Sequence, residues 1–204
     1  MLIKDILKQN KIIAIVRLNN AQEAIDISKA IIDGGIKIIE ITITNPEATL
    51  AIKEISKIEN ILVAAGSIIT VKQANEALDA GAKLLISPIT EMGLIKLSKN
   101  TGIPLAAGAA TPNEIYNAWK QGVDIIKVFP VKNLGGPDYI KNILSPLPFL
   151  ELMPTGGINL DNFIDYLKAG AVTVGIGNQL YPEKDFNLIR KNAEKIVQKL
   201  QENI

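Results

Sequence analysis

The sequence predicts an α/β fold of the (β/α)8 or TIM barrel kind, with one extra N-terminal helix, and three observations carry that prediction. First, eight short apolar runs, at residues 12–17, 37–44, 61–67, 83–88, 104–109, 125–130, 150–156 and 171–177, begin 25, 24, 22, 21, 21, 25 and 21 residues apart. Each is too short for a helix and rich in Ile and Val, the composition of a strand buried on both faces. Second, amphipathic stretches separate the runs, and glycines that can close a helix stand one to three residues before the next run: Gly34-Gly35, Gly81, Gly102, Gly122 and Gly170. Eight such units at near-constant spacing fit a closed barrel. Third, the rival doubly wound sheet needs a glycine-rich loop after its first strand, and Val16-Arg17-Leu18-Asn19 has no glycine.

Taken in order, residues 1–9 read as the extra helix, laid across the bottom of the barrel. The first strand ends on Arg17. In the second, Ile38-Ile39-Glu40-Ile41-Thr42-Ile43-Thr44, alternation puts Glu40, Thr42 and Thr44 on one face and the isoleucines on the other. The isoleucines suit the layer under the helices, so Glu40 faces the interior. Asn45-Pro46-Glu47 offers an N-cap followed by a proline at the first helical position. The third strand ends on Gly66-Ser67 and the fourth on Ser87-Pro88. Thr111-Pro112-Asn113-Glu114 after the fifth fits a capping box. The sixth carries Lys127 inside Ile125-Ile126-Lys127-Val128-Phe129-Pro130, the seventh ends in Pro154-Thr155-Gly156-Gly157, and the eighth in Gly175-Ile176-Gly177-Asn178. Asn159-Leu160-Asp161-Asn162 and Pro182-Glu183 mark two more helix starts. No linker divides residues 1–204, which read as a single barrel domain.

Composition removes whole classes of function. Twenty-two basic and 21 acidic residues leave a net charge of +1, which provides no electrostatic footprint for a nucleic-acid partner. Cysteine is absent, which excludes disulfides and thiol chemistry. Histidine is absent too, which excludes Ser-His-Asp triads, imidazole acid–base work and the common zinc sites. Catalysis is left to Lys, Glu, Asp, Tyr, Ser, Thr or backbone groups. No secretory segment is apparent, and no run approaches the ~18 apolar residues that span a bilayer. A cytoplasmic protein without a membrane partner is expected.

Barrel active sites lie at the C-terminal ends of the strands. Lys127 is the first candidate. Burial of an ammonium in an apolar strand is costly and favours the neutral amine, the form that attacks a ketone to make a Schiff base. The bland readings are a structural ion pair or an edge-strand surface lysine, and a closed barrel has no edge. Glu40 is placed to move protons beside that amine, or else to form a salt bridge with Lys127 or Arg17. Arg17 is one of two arginines, the other being Arg190. Its fork suits a substrate carboxylate, or it simply pairs with Glu40. The glycine pairs after the seventh and eighth strands can offer backbone N–H groups to a phosphate, or merely make turns. Gly175-Ile176-Gly177 lacks the third glycine of a dinucleotide fingerprint. Ser67, Ser87 and Thr155 can hydrogen-bond a carboxylate or hydroxyl, although Ser67 equally suits a helix cap. Pro88 and Pro130 shape turns. Tyr116, Trp119 and Tyr181 read as helix packing residues.

These residues resemble the family of 2-keto-3-deoxy-6-phosphogluconate (KDPG) and 4-hydroxy-2-oxoglutarate aldolases, almost end to end. The matching segments are Ile15-Val16-Arg17, Gly34-Gly35 leading to Glu40-Ile41-Thr42, Ala65-Gly66-Ser67, Ile86-Ser87-Pro88, Thr111-Pro112-Asn113-Glu114, Ile126-Lys127-Val128-Phe129-Pro130, Pro154-Thr155-Gly156-Gly157 and Gly175-Ile176-Gly177. The resemblance implies a class I aldolase on an eight-stranded barrel, a homotrimer without cofactor or metal, that releases pyruvate and an aldehyde from a 2-keto-3-deoxy sugar acid. It makes Lys127 the Schiff-base lysine and Glu40 the acid–base. It assigns Arg17, Thr44, Ser67, Pro88, Phe129 and Thr155 to the substrate, and Gly156, Gly157, Gly177 and Asn178 to its phosphate. The chain departs from the family in three places. Thr44 stands where many members carry a carboxylate-binding arginine, a role that then falls to Arg17. Ser67 replaces the usual Thr, and Asn178 stands where a Ser is common. Two rival readings are a catalytically silent barrel that binds a phosphorylated metabolite, which would have no need of Lys127, and a metal-independent phosphosugar epimerase or lyase.

Overall fold

The computed structural model describes residues 3–203. All eight apolar runs form strands: β1 (Ile12–Val16), β2 (Ile38–Thr42), β3 (Leu62–Gly66), β4 (Leu84–Ile86), β5 (Leu105–Ala109), β6 (Ile125–Val128), β7 (Leu152–Pro154) and β8 (Val174–Ile176). All eight are shorter than the apolar runs, and at their C-terminal ends Arg17, Thr44, Ser67, Pro88 and Phe129 lie beyond the strands and form the rim. The pairing is parallel throughout, in the order β7-β6-β5-β4-β3-β2-β1-β8. A single bridge between Thr155 and Gly175 joins β7 to β8 and closes the barrel. Around it run α2 (Ala21–Asp33), α3 (Ala48–Ile55), α4 (Val71–Asp79), α5 (Met92–Thr101), α6 (Pro112–Lys120), α7 (Val131–Leu134), α8 (Gly136–Leu144), α9 (Phe163–Lys168) and α10 (Phe186–Asn203). None of the described helices is long and apolar enough to cross a membrane.

Alternation along the strands makes two apolar layers. Ile39, Ile41, Ile126 and Val128 pack outward under the helices. Ile13, Ile15, Ile38, Leu62, Leu84 and Met153 fill the interior. The expected N-terminal helix is α1 (Ile3–Asn10), and its Leu7, fully buried, joins the inner layer from below. Residues 1 and 2 of that predicted helix lie outside the described part. Burial of each such Leu or Ile contributes roughly 1.5–3 kcal/mol, so the base of the barrel is a packed plug.

Helix ends confirm some local signals and redirect others. Thr111 and Glu114 form the expected capping box: Thr111 Oγ1 accepts the Glu114 N–H at 3.3 Å, and Glu114 Oε2 accepts the Thr111 N–H at 2.8 Å. The predicted stops Gly35, Gly81, Gly102, Gly122 and Gly170 all have positive φ. Pro46, however, precedes α3 instead of opening it. Asn45 Oδ1 accepts the Glu47 N–H in a turn at 2.9 Å, while Asn45 Nδ2 donates to the Leu18 carbonyl at 2.9 Å, so its side chain staples two rim loops. Residues 159–162 likewise form a turn, with Asn159 Oδ1 accepting the Asp161 and Asn162 N–H groups before α9 begins. Asp185, not Pro182-Glu183, opens α10, by accepting the Asn187 and Leu188 N–H groups. Thr70 caps α4, which frees Ser67 from that duty. Tyr116 and Trp119 lie on α6 but are each 40% exposed, and Trp119 packs between Tyr116 and Phe149 in a tilted cluster on the surface. They pack there, not into the core as expected of helix packing residues.

Two glycines test two different constraints. Gly102 is left-handed, with φ 70°, but a Cβ there would meet nothing within 4 Å. Gly108 has ordinary φ, but a Cβ there would lie 1.9 Å from the Pro88 carbonyl oxygen. We expect Gly102→Ala to cost roughly 1–2 kcal/mol, the left-handed penalty alone. Gly108→Ala must move backbone and should cost about 3 kcal/mol or more. Urea midpoints of the two variants measure the difference, and equal losses would remove the close-approach account.

Candidate active site

Lys127 reaches the barrel interior because Ile126 and Val128 on either side of it claim the outer layer. It sits in register with Gly108 of β5 and Met153 of β7 and is 4% exposed. Glu40 arrives from β2, on the opposite wall, by the same alternation and is fully buried. Lys127 Nζ lies 3.9 Å from Glu40 Oε1, so the two predicted residues meet across the barrel. Phe129, just beyond β6, holds its ring centroid 5.5 Å from Nζ, within the range of a cation–π contact.

Space for the carboxyl comes from β3. A Cβ on Gly66 would fall 1.9 Å from Glu40 Oε1, so only glycine fits there. Gly66 was not singled out as a site residue from sequence. The available signal was its register, because a glycine paired to Thr42 on the neighbouring strand stands beside whatever points inward from β2. Neither Glu40 oxygen has a hydrogen-bond partner among the described residues, and the buried hydroxyls of Thr42 and Thr155 also have none. Burial pushes the Glu40 carboxyl above the usual carboxylate range, against the opposing pull of the Lys127 and Arg17 charges. A buried acid beside a lysine, its own oxygens without hydrogen bonds, is a constellation equipped to move protons on a guest molecule rather than to stabilise the fold.

The rim places the other candidates. Arg17 is the first residue past β1 and is exposed. The close ion pair of Glu40 is with Lys127, and the Arg17 charge acts on the same carboxyl without a close ion pair among the described residues. Thr44 lies two residues beyond β2 and is exposed on the rim. Alternation continues past the strand at least to Ile43, which packs in the outer layer and donates its N–H to the Gly66 carbonyl at 2.8 Å. Ser67 is half-buried with φ 59°, and Pro88 is half-buried. Ser87 is buried with its Oγ accepting the Ile89 N–H at 3.2 Å, so it braces its own loop. A cavity of about 430 Å³, lined in part by Pro88, Thr90, Gly108 and Phe129, opens next to the Lys127 chamber.

The two glycine turns lie side by side because the Thr155–Gly175 bridge joins their strands. Gly156 and Gly157 have φ of 99° and 81°, and a Cβ on Gly157 would strike Lys132 at 2.6 Å, so this turn is pressed against α7. Gly177 and Asn178 follow β8. Tyr181 follows them and lies in no helix. It is buried, and its hydroxyl contacts Ile15, Arg17 and Asn178. The sequence reading of Tyr181 as a helix packing residue missed this polar role, since a tyrosine in an irregular stretch carries no periodic signal.

Comparison with known proteins agrees with this geometry. The family model described as "Aldolase: KDPG and KHG aldolase" matches residues 3–200. A 2-dehydro-3-deoxy-phosphogluconate aldolase of Haemophilus influenzae is 32% identical over 187 residues, which cover 91% of this chain and 87% of the relative. A probable 2-dehydro-3-deoxy-6-phosphogalactonate aldolase of Rhizobium meliloti is 33% identical over 176 residues, covering 85% of this chain and 82% of the relative. Among solved structures, KDPG aldolase from Legionella pneumophila, with pyruvate captured at low pH as a covalent carbinolamine intermediate, superimposes with a TM-score of 0.87 at 28% identity, covering 95% of this chain and 97% of that one. A closed barrel that buries one lysine against one glutamate, matched over nearly its whole length at the level of sequence and fold, places the chain in the KDPG and KHG aldolase family.

Proposed function

We propose that this protein is a class I aldolase that cleaves 2-keto-3-deoxy-6-phosphogluconate, or a close 2-keto-4-hydroxy acid, to pyruvate and an aldehyde, which is glyceraldehyde 3-phosphate when the substrate is phosphorylated. The observation that carries the reading is the buried Lys127–Glu40 pair, 3.9 Å apart at the C-terminal end of the barrel. In the cycle, the unprotonated Lys127 amine attacks the C2 ketone and forms a carbinolamine. Glu40 gives a proton to the departing hydroxyl, water leaves, and a protonated imine remains. Glu40, now a carboxylate, takes the C4 hydroxyl proton directly or through a water. The C3–C4 bonding pair moves into the imine, the aldehyde departs, and an enamine of pyruvate stays on Lys127. Protonation at C3 and hydrolysis release pyruvate and restore both groups. A carboxyl held above its ordinary range by burial keeps the proton that the first half of this duty requires and, once ionised, takes it back more readily than an ordinary carboxylate.

Around that pair, Arg17 takes the substrate carboxylate in place of the arginine that Thr44 lacks. Ser67, Pro88, Phe129 and Thr155 line the acid. The turns at Gly156-Gly157 and Gly177-Asn178 receive the phosphate. Asn178 Oδ1 accepts from the Tyr181 hydroxyl, which leaves the Nδ2 amide group as the donor it offers the phosphate. The reading extends to a cytoplasmic homotrimer. Exposed apolar side chains on the rim loops and the helices they start, Ile69, Val71, Ile89 and Met92, are in keeping with an assembly.

Borohydride added with pyruvate should trap one covalent adduct, and peptide mapping should find it on Lys127. Lys127→Met should trap none, and an adduct on any other lysine would sink the Schiff-base assignment. Glu40→Gln keeps the size of the side chain but cannot cycle a proton, so turnover should fall by about 10²–10⁴. Its stability should move the other way. A carboxyl whose folded pKa lies above its unfolded one binds the proton more tightly when folded, so wild-type stability declines as pH rises from the ordinary carboxylate range through the raised folded value. Glu40→Gln removes that decline. It should melt at or above the wild-type temperature at neutral pH and lose the advantage in acid. Near wild-type turnover would return Glu40 to a structural role.

A further inference from the structure

Tyr181 lies between β8 and α10 and is 8% exposed, with its ring in the outer core. Three polar groups converge on its hydroxyl. The Arg17 backbone N–H donates to it at 3.0 Å. Its own proton is shared between the Ile15 carbonyl oxygen at 3.0 Å and Asn178 Oδ1 at 3.1 Å. Burial pushes the phenol above its ordinary range, so it stays protonated and able to donate.

The place of these contacts matters more than their number. Pairing of β1 with β8 runs from Ile12–Val174 to Ala14–Ile176 and stops there. Arg17 and Asn178 both lie beyond its end, and there the Tyr181 hydroxyl joins the two loops. On its other side the β1 loop is held by Asn45 Nδ2, which donates to the Leu18 carbonyl, and by Glu47 Oε2, which accepts the Ala21 N–H. The loop from Arg17 to Ala21 is thus held from both neighbours, at Arg17 itself only by Tyr181, while the Arg17 side chain is left exposed.

We propose that Tyr181 is a positioning residue for substrate recognition: its buried hydroxyl ties the backbone of Arg17 to the Gly177-Asn178 loop, fixing the group that takes the substrate carboxylate relative to the loop that takes the far end. The proposal rests on the reading above, in which Arg17 is the carboxylate anchor. A bidentate fork works only within about half an ångström of its required position. Freeing the Arg17 backbone from one clamp therefore degrades the grip without touching the reacting pair.

A double-mutant cycle in the full-length enzyme tests it, with 2-keto-3-deoxy-6-phosphogluconate as substrate. Arg17→Lys should lower kcat/KM by about 10–100-fold, since an ammonium cannot reproduce the fork. Tyr181→Phe keeps the ring and removes only the hydroxyl. It should raise KM by roughly 5–10-fold, the scale of one buried hydrogen bond, and change kcat by less than about twofold. In the Arg17→Lys background, Tyr181→Phe should add less than about twofold, because it acts through a group already impaired. A lower melting temperature with unchanged KM overturns the proposal, as does a full-sized Tyr181→Phe effect in the Arg17→Lys background. An impaired Arg17→Lys beside a kinetically silent Tyr181→Phe rejects the positioning role and leaves the anchor reading standing. A silent Arg17→Lys rejects the anchor reading and the positioning role with it.

Discussion

An amine and a carboxyl held face to face inside an apolar barrel set the terms for the rest of this molecule. Removing two ionisable groups from water is costly, and one contact at 3.9 Å with no further hydrogen bond to the carboxyl does not repay it. A pair kept for stability would be satisfied on every side. The pair here leaves both Glu40 oxygens open, and the buried hydroxyls of Thr42 and Thr155 are open as well. The fold tolerates this local deficit because the rest of the barrel is so thoroughly packed. Leu7 plugs the base, and two concentric apolar layers hold the strands.

Glycine placement follows from the same constraint. Gly66 gives up its side chain so that the Glu40 carboxyl can occupy the space beside β3. Gly108, in register with Lys127, gives up its own so that the backbone at Pro88 can close over β5. Gly175 leaves room for the Thr155 hydroxyl, 2.7 Å from where its Cβ would be, at the single bridge that shuts the barrel. Each of these glycines is on a strand, where glycine is a poor choice on propensity alone. Each is explained by an atom that must approach closely at the catalytic end.

The rim is organised by a second kind of device, side chains that hydrogen-bond the backbone of a neighbouring loop. Asn45 and Glu47 reach from the loop after β2 to the loop after β1, and Tyr181 reaches the same loop from the β8 side. Strand pairing stops below this level, so such staples carry the geometry from the rigid sheet to the residues that meet a substrate. They decide where Arg17 stands, and they do so without changing its charge or exposure.

Much of this was legible in the residues alone. The spacing of eight apolar runs specified the barrel, because a strand buried on both faces leaves an uninterrupted apolar signature that needs no partner to be recognised. A charged residue within such a run must point somewhere enclosed, so Lys127 and Glu40 stood out at once, and period-two alternation put both in the interior. Local chemistry also specified the capping box at Thr111 and the left-handed stops, since those depend on bonds within a few residues. Other features were settled only by the tertiary structure. Thr44 fell outside the ladder, on the exposed rim, because β2 ends at Thr42. Asn45, Asn159 and Pro182 did not start helices, because their neighbours offered better partners or the chain turned first. Tyr181 proved to be a polar tie, Tyr116 and Trp119 part of a surface cluster, and Gly66 a wall of the site. Each of these depends on which distant backbone or side chain arrives alongside. The sequence determined what each residue could do within its own element. Contacts between elements, formed only when the sheet closes, decided which of those possibilities was used.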